Sequence, residues 1–201
     1  MTPGHRGRRH QGLRRATAAA HTALDATLRG TGCFTSAEGY RRYLGAVAPI
    51  YAALEVTLDA ADAARLLPDW PRRRKLGLIR AELRALGSAR DAPARPLAVA
   101  AIKPCDTGDI FGALYVLEGA TLGGALLARA MRARGVLAPG AACLLDPYEA
   151  ERGAMWRAFL ARLEAVKMAY QQEQALGARA VATFSLFATV GESLMEQEGA
   201  W

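Results

Sequence analysis

Cysteine and histidine are scarce in this 201-residue chain, three of each, and neither a CxxC nor an ExxH spacing occurs. That leaves too few ligands for a structural zinc site or a dicarboxylate di-iron centre. The thiols at Cys33, Cys105 and Cys143 are odd in number and scattered, so they suggest no disulfide framework and suit a reducing cytoplasm. Isoleucine and threonine are few beside alanine, leucine, arginine and glutamate, a balance that favours helix and argues against a sheet. Acidic residues are missing from the first fifteen positions, where Arg6, Arg8, Arg9, Arg14 and Arg15 supply most of the formal charge of +7. The charge therefore describes a solvated, disordered basic tail over residues 1–10 and is a poor argument for a nucleic-acid partner. A secretory h-region is also lacking, because His21, Thr17 and Thr22 break the apolar stretch at 16–24.

What is present reads as one helical domain over residues 11–201. A first helix is expected over 11–28, with Leu13, Thr17, Ala20, His21, Leu24 and Leu28 on one face, stopped by Gly30, Thr31 and Gly32. Thr35 and Glu38 form a capping-box pattern ahead of a second helix that contains Pro49. Pro68 and Pro71 bracket a turn before "RRRKLGLIRAELRALG", a third helix closed by Gly87. Residues 88–107, with Pro93, Pro96 and Pro104, read as a long irregular connection. A helix over 108–133 follows, ended by Gly135. Asp146 and Pro147 supply an N-cap and a first helical position for the next, and a last helix over 174–195 carries Val181, Phe184, Phe187 and Val190. The fold class expected is all-α, a single-domain multi-helical bundle.

The stretch "VLEGATLGGALL" at 116–127 is anomalous. Three glycines, Gly119, Gly123 and Gly124, sit inside a helix pattern, at about 1 kcal/mol each relative to alanine. The surrounding run at 110–128 is nearly uncharged, and Gly119-x-x-x-Gly123 has the spacing of a membrane helix dimer, but Glu118 at its centre argues for a buried helix in a soluble domain. Two explanations offset the glycine cost: close packing of helix on helix, or a bare backbone that lets a flat ligand approach.

His21 lies on the apolar face of the first helix, with Asp25 one turn later, where a carboxylate reaches the second imidazole nitrogen of a metal-bound histidine. The alternative is a core histidine satisfied by a neighbouring acid. One histidine is enough for a heme, whose macrocycle supplies four ligands and leaves the protein an axial position. His5 and His10 fall in the tail.

"LRRATAAAHTALD", followed about a hundred residues later by "YVLEGATLGG" and then "DPYEAERGAMWRAF", resembles the biliverdin-producing heme oxygenase family, particularly the bacterial phytochrome-associated type. The resemblance implies a heme oxygenase-like bundle in which heme is held between a proximal and a distal helix. It implies His21 as the proximal iron ligand and Asp25 as its acidic partner. Arg14 would pair with a heme propionate, as would Arg157, with Arg162 or Lys167 as substitutes. Gly119, Gly123 and Gly124 would be the catalytic distal-helix glycines. Ala120 departs from the family pattern, since mammalian-type members carry there an aspartate that organises protonating waters. The implied reaction is O2-dependent opening of heme, both substrate and cofactor, to biliverdin, carbon monoxide and ferrous iron. Electrons would come from an external ferredoxin or reductase, because no GxGxxG or flavin motif occurs. A biliverdin-using phytochrome is an implied partner, and nucleic acid and membrane are not. Three other readings are a heme-binding or transfer protein that does not turn over, a thiaminase-like hydrolase with a cysteine nucleophile, and a helical interaction protein.

Overall fold

The computed structural model describes residues 7–88, 106–138, 141 and 143–198, with side chains through residue 195. Among these residues all regular structure is helical: α1 (Arg8–Gly30), α2 (Ala37–Ala60), the one-turn helices α3 (Ala63–Leu66) and α4 (Trp70–Arg73), α5 (Leu76–Ala85), α6 (Thr107–Ala133), a 3-10 turn (Glu149–Glu151), α7 (Arg152–Ala165) and α8 (Tyr170–Glu198). Residues 1–6 of the expected tail and most of the proline-rich connection, 89–105, lie outside the described residues.

The bundle is assembled on α6 and α8, which cross with almost no side chain between them. A Cβ on Gly108 would lie 1.9 Å from the carbonyl oxygen of Gln172, and one on Gly112 would lie 2.5 Å from that of Leu176. Helix α1 packs on the same α8, where Gly191 leaves room for Thr27. From Gly108 to Glu118, α6 is buried on every side, so its length and hydropathy, sufficient to span a membrane, belong to a core helix: 67% of its most apolar window is buried.

Helix α1 begins at Arg8, earlier than expected, and the tail reading fails for Arg8, Arg9 and His10. The reason is a reciprocal cap with α7. Arg9 Nη1 donates to the carbonyls of Leu163 (2.7 Å), Glu164 (3.0 Å) and Val166 (2.8 Å), which satisfies the C-terminal turn of α7. The Glu164 carboxylate in return accepts from the His10 amide at 2.9 Å, at the otherwise uncapped start of α1. Four other boundaries also move. The α2 cap is Ser36, whose hydroxyl accepts from the Gly39 amide at 3.0 Å, while Glu38 pairs with Arg41. Helix α5 starts only at Leu76, because Arg73 and Lys75 turn inward to a buried carboxylate. Helix α7 starts at Arg152, since Glu149 has φ 45° and Asp146 pairs with Arg152 instead of capping. The start of α8 at Tyr170 carries Gln172, which accepts from the Ala169 amide.

The same Arg9 donates from Nε to Glu173 at 2.9 Å and holds that carboxyl below the ordinary glutamate value of 4.5. A depressed carboxylate contributes stability above its unfolded value and loses it as pH falls through the folded one. Glu173→Gln is expected to cost about 1 kcal/mol at neutral pH in urea denaturation. The gap to the parent protein should close as pH falls below 4.5; a gap independent of pH would contradict the assignment.

Candidate functional site

One stripe of α1 faces a cavity of about 1090 Å³, just above the roughly 300–1,000 Å³ typical of small-molecule sites. His10, Arg14, Thr17, His21, Asp25 and Arg29 line it in order, at intervals of three or four residues that keep them on one helical face. His21 Nδ1 lies 3.3 Å from the Asp25 carboxylate. That leaves Nε2 as the nitrogen available to a ligand. The His21 side chain is 60% exposed, which disposes of the core-histidine reading. Its ring is steered by an edge contact with Phe184 of α8, centroids 5.6 Å apart. Phe184 and Phe187, expected from the sequence to be on the apolar set of the last helix, both reach this cavity.

Across the cavity lies the second half of α6. The three expected glycines all line it, yet they do different things. A Cβ on Gly123 would meet nothing within 4 Å, and one on Gly119 would meet only a Trp156 ring carbon at 3.9 Å. A Cβ on Gly124 would lie 2.4 Å from the Leu145 carbonyl oxygen. Packing therefore accounts for Gly124, and open space over the cavity accounts for Gly119 and Gly123. Ala120 also lines the cavity. Glu118 points the other way and is fully buried: it accepts from Lys75 Nζ at 2.7 Å and from Tyr148 Oη at 2.9 Å, and pairs with Arg73.

The cavity is apolar over most of its wall and cationic at its α1 edge. Tyr115 sits near Arg14 and Thr17; burial raises its phenol, opposed by the Thr17 hydrogen bond and the Arg14 charge. His10, assigned from sequence to a tail without structure, lies in α1 with its ring 5.7 Å from Trp156 and 6.2 Å from Tyr115. Arg157 is a correction. It is exposed on α7, its guanidinium beside Gly153, and does not line the cavity. Neither of its substitutes does: Arg162 donates to the Leu66 carbonyl, and Lys167 is exposed. The second arginine on the wall is Arg29, two turns beyond His21 on the α1 stripe. It could have been found by continuing the i, i+4 series from His21 through Asp25. Cys33 is buried, Cys143 is exposed and neither lines the cavity, while Cys105 lies outside the described residues. Among the described residues no group of three or more His, Cys, Asp or Glu is placed to hold a metal ion.

His21 on α1 thus faces bare helical backbone of α6 across a largely apolar cavity between two helices, an arrangement that defines a helical ligand-binding fold. The Heme oxygenase family model matches residues 9–193, and the chain belongs to that family. The family is one of heme-degrading oxidoreductases, as the motif resemblance implied. The chain is similar to a heme oxygenase of Xanthomonas campestris pv. campestris (strain 8004), at 38% identity over 113 residues, a stretch that is 55% of this chain and 59% of that relative. The match thus spans less than two thirds of that relative's length. Among solved structures the fold is shared with heme oxygenase from Neisseria meningitidis, crystallised with NO and CO (TM-score 0.76, 21% identity, 92% of this chain and 91% of that one). It is also shared with heme oxygenase from Leptospira interrogans (TM-score 0.75, 16% identity, 90% and 97%). A third is heme oxygenase-1 from the cyanobacterium Synechocystis sp. PCC6803 in complex with heme (TM-score 0.75, 13% identity, 94% and 95%).

The two adjacent glycines give opposite expectations for the ligand-free protein. Gly123→Ala should raise the melting temperature, by the equivalent of up to about 1 kcal/mol of removed helix penalty. Gly124→Ala should lower it, by about 1–3 kcal/mol of overpacking against Leu145. Equal effects of either sign would contradict the division of roles.

Proposed function

We propose that this protein cleaves heme oxidatively to biliverdin, carbon monoxide and ferrous iron, with O2 as co-substrate and electrons from an external ferredoxin or reductase. The observation that carries the proposal is the pairing across one cavity of His21, oriented by Asp25, with a helical turn whose Gly119 and Gly123 leave the opposite wall empty. The residues present fit a heme: an imidazole nitrogen on one side, a cradle that side chains would fill on the other, an apolar wall, and cations at one edge.

In this reading His21 Nε2 ligates the iron, and Asp25 holds the ring's orientation and raises its basicity through Nδ1. Arg14 and Tyr115 stand where they can take the propionate carboxylates by charge and by hydrogen bond. Gly119 and Gly123 would let the α6 backbone lie close over the ring, so that the position of that backbone would bias which edge of the heme substrate is opened. Bound heme supplies both the centre that activates O2 and the carbon that is oxidised. Gly124 acts one step removed, by allowing α6 to seat on Leu145. The cytoplasm as location, and use of the product by a phytochrome, rest on the thiol content and on the motif resemblance.

Ala120 favours a second reading, a protein that binds or transfers heme without turnover, because no acid stands at that position of the wall. Hemin titration followed by ascorbate or a reductase in air separates the two. Loss of the Soret band with growth of a broad red absorption is expected, and a Soret band that persists under reduction would overturn the enzymatic reading. His21→Ala should abolish the ferric histidine-ligated spectrum and most turnover, with added imidazole restoring part of both. An unchanged spectrum in that variant would move the ligand to another residue, His10 first among them.

A further inference from the structure

Helix α6 changes character at Glu118. Before it, the helix is buried all round and seated on α8 at Gly108 and Gly112. After it, residues 119–123 have only the cavity on one side. This bare turn is held at both ends. At its start, Glu118 receives Lys75, Tyr148 and Arg73, and none of these side chains other than Tyr148 exceeds 2% exposure. At its end, Gly124 rests on the backbone of Leu145.

Both holds lead to one short piece of chain, residues 143–148. Tyr148 is its last residue and donates to both Glu118 oxygens, at 2.9 and 3.0 Å. Burial, then the Glu118 carboxylate, push its phenol well above the ordinary value, so it remains a donor at any pH the fold meets. The other end of the piece is fixed by Glu82 of α5, a buried carboxylate that the assigned roles leave without a task. Its two oxygens accept from the amides of Cys143 and Leu144, each at 2.9 Å, and from the hydroxyl of Tyr40 on α2 at 3.0 Å. A buried carboxylate spent on two consecutive loop amides fixes the height of that loop to within a hydrogen bond's tolerance.

We propose that residues 143–148, pinned by Glu82 at one end and by Tyr148 on Glu118 at the other, set the height of the 119–123 turn over the cavity, and that Glu82 and Tyr148 are therefore positioning residues for the regiochemistry of ring opening. The last clause rests on the heme oxygenase reading; the mechanical clause does not. Neither side chain lines the cavity, so neither is a catalytic residue. Their effect passes through one backbone contact, Leu145 on Gly124, and one side-chain hydrogen bond, Tyr148 on Glu118, which precedes Gly119 in the chain.

Glu82→Gln and Tyr148→Phe test this. Glutamine keeps one acceptor atom, so at least one of the Cys143, Leu144 and Tyr40 donors loses its partner. Phenylalanine leaves Glu118 with Arg73 and Lys75. In the ligand-free protein, amide hydrogen exchange over 119–127 should quicken about tenfold while that of 108–117 stays as in the parent. In the heme-loaded protein the biliverdin isomer ratio should shift. Exchange that quickens equally over 108–117 and 119–127 would show a merely structural role and overturn the proposal. Unchanged exchange at 119–127, or loosened exchange with the parent isomer ratio, would overturn it as well. Should Glu82→Gln fail to fold, Tyr148→Phe decides alone. A parent protein that makes no biliverdin would sink the heme reading while leaving the exchange result to stand or fall separately.

Discussion

A carboxylate with no water around it must be given cations and donors, and Glu118 obliges the fold to bring them from three directions. Arg73 closes α4, Lys75 precedes α5, and Tyr148 ends the piece of chain that runs beside the distal half of α6. Losing one partner of such a buried pair costs about 3–5 kcal/mol, because the remaining charge stays buried. The break between α4 and α5 follows from this demand: a continuous helix through 72–76 would carry Arg73 and Lys75 to different faces, and both are needed on Glu118. The same carboxylate turns the polar edge of α6 away from the cavity and so leaves Gly119 and Gly123 facing it.

Glycine does two jobs along α6, and the contacts tell them apart. Gly108, Gly112 and Gly124 are places where another backbone comes too near for a Cβ. At Gly123 a Cβ would meet nothing within 4 Å, and at Gly119 only a Trp156 ring carbon at 3.9 Å, an ordinary contact. A packing glycine is explained by the fold; Gly119 and Gly123 differ from it in that their open side is the cavity. His21 stands on the facing helix, more than half exposed, its Nδ1 already engaged by Asp25. On the proposed heme reading, the two open positions and the one poised nitrogen would meet the same ligand from its two faces.

Local pattern carried much of this in the sequence. The α1 stripe through His21 and Asp25 is an i, i+4 relation, and the expected span of α6, 108–133, lies within a residue of the observed one, its end marked by the local stop signal of Gly135. The orientation of Glu118 away from the glycine face likewise follows from helical period alone. What escaped was long-range. Arg9 and His10 read as tail because their partners, Glu164 and Glu173, lie about 150 residues on, and no window of sequence joins them. Arg157 is expected beside a propionate from the motif resemblance alone; Trp156, one step earlier on α7, lines the cavity, and the roughly 100° between successive residues turns Arg157 out of it. Gly124 could not be told from Gly123 until Leu145 was in place, and the carboxylates of Glu55 and Glu82, which accept backbone amides across elements, have no local signature at all.

On the proposed reading a flat ligand lies between His21 and the open turn of α6. Ferric heme relaxes nearby protons, so the backbone amides of 15N-labelled protein, loaded with hemin and compared with the same protein loaded with diamagnetic gallium protoporphyrin, report their nearness to the metal. The expected result is that, within α6, relaxation is strongest at Gly119 and Gly123 and falls away toward Gly108 and Gly112. A relaxation pattern strongest elsewhere, or even along the helix, would contradict that placement.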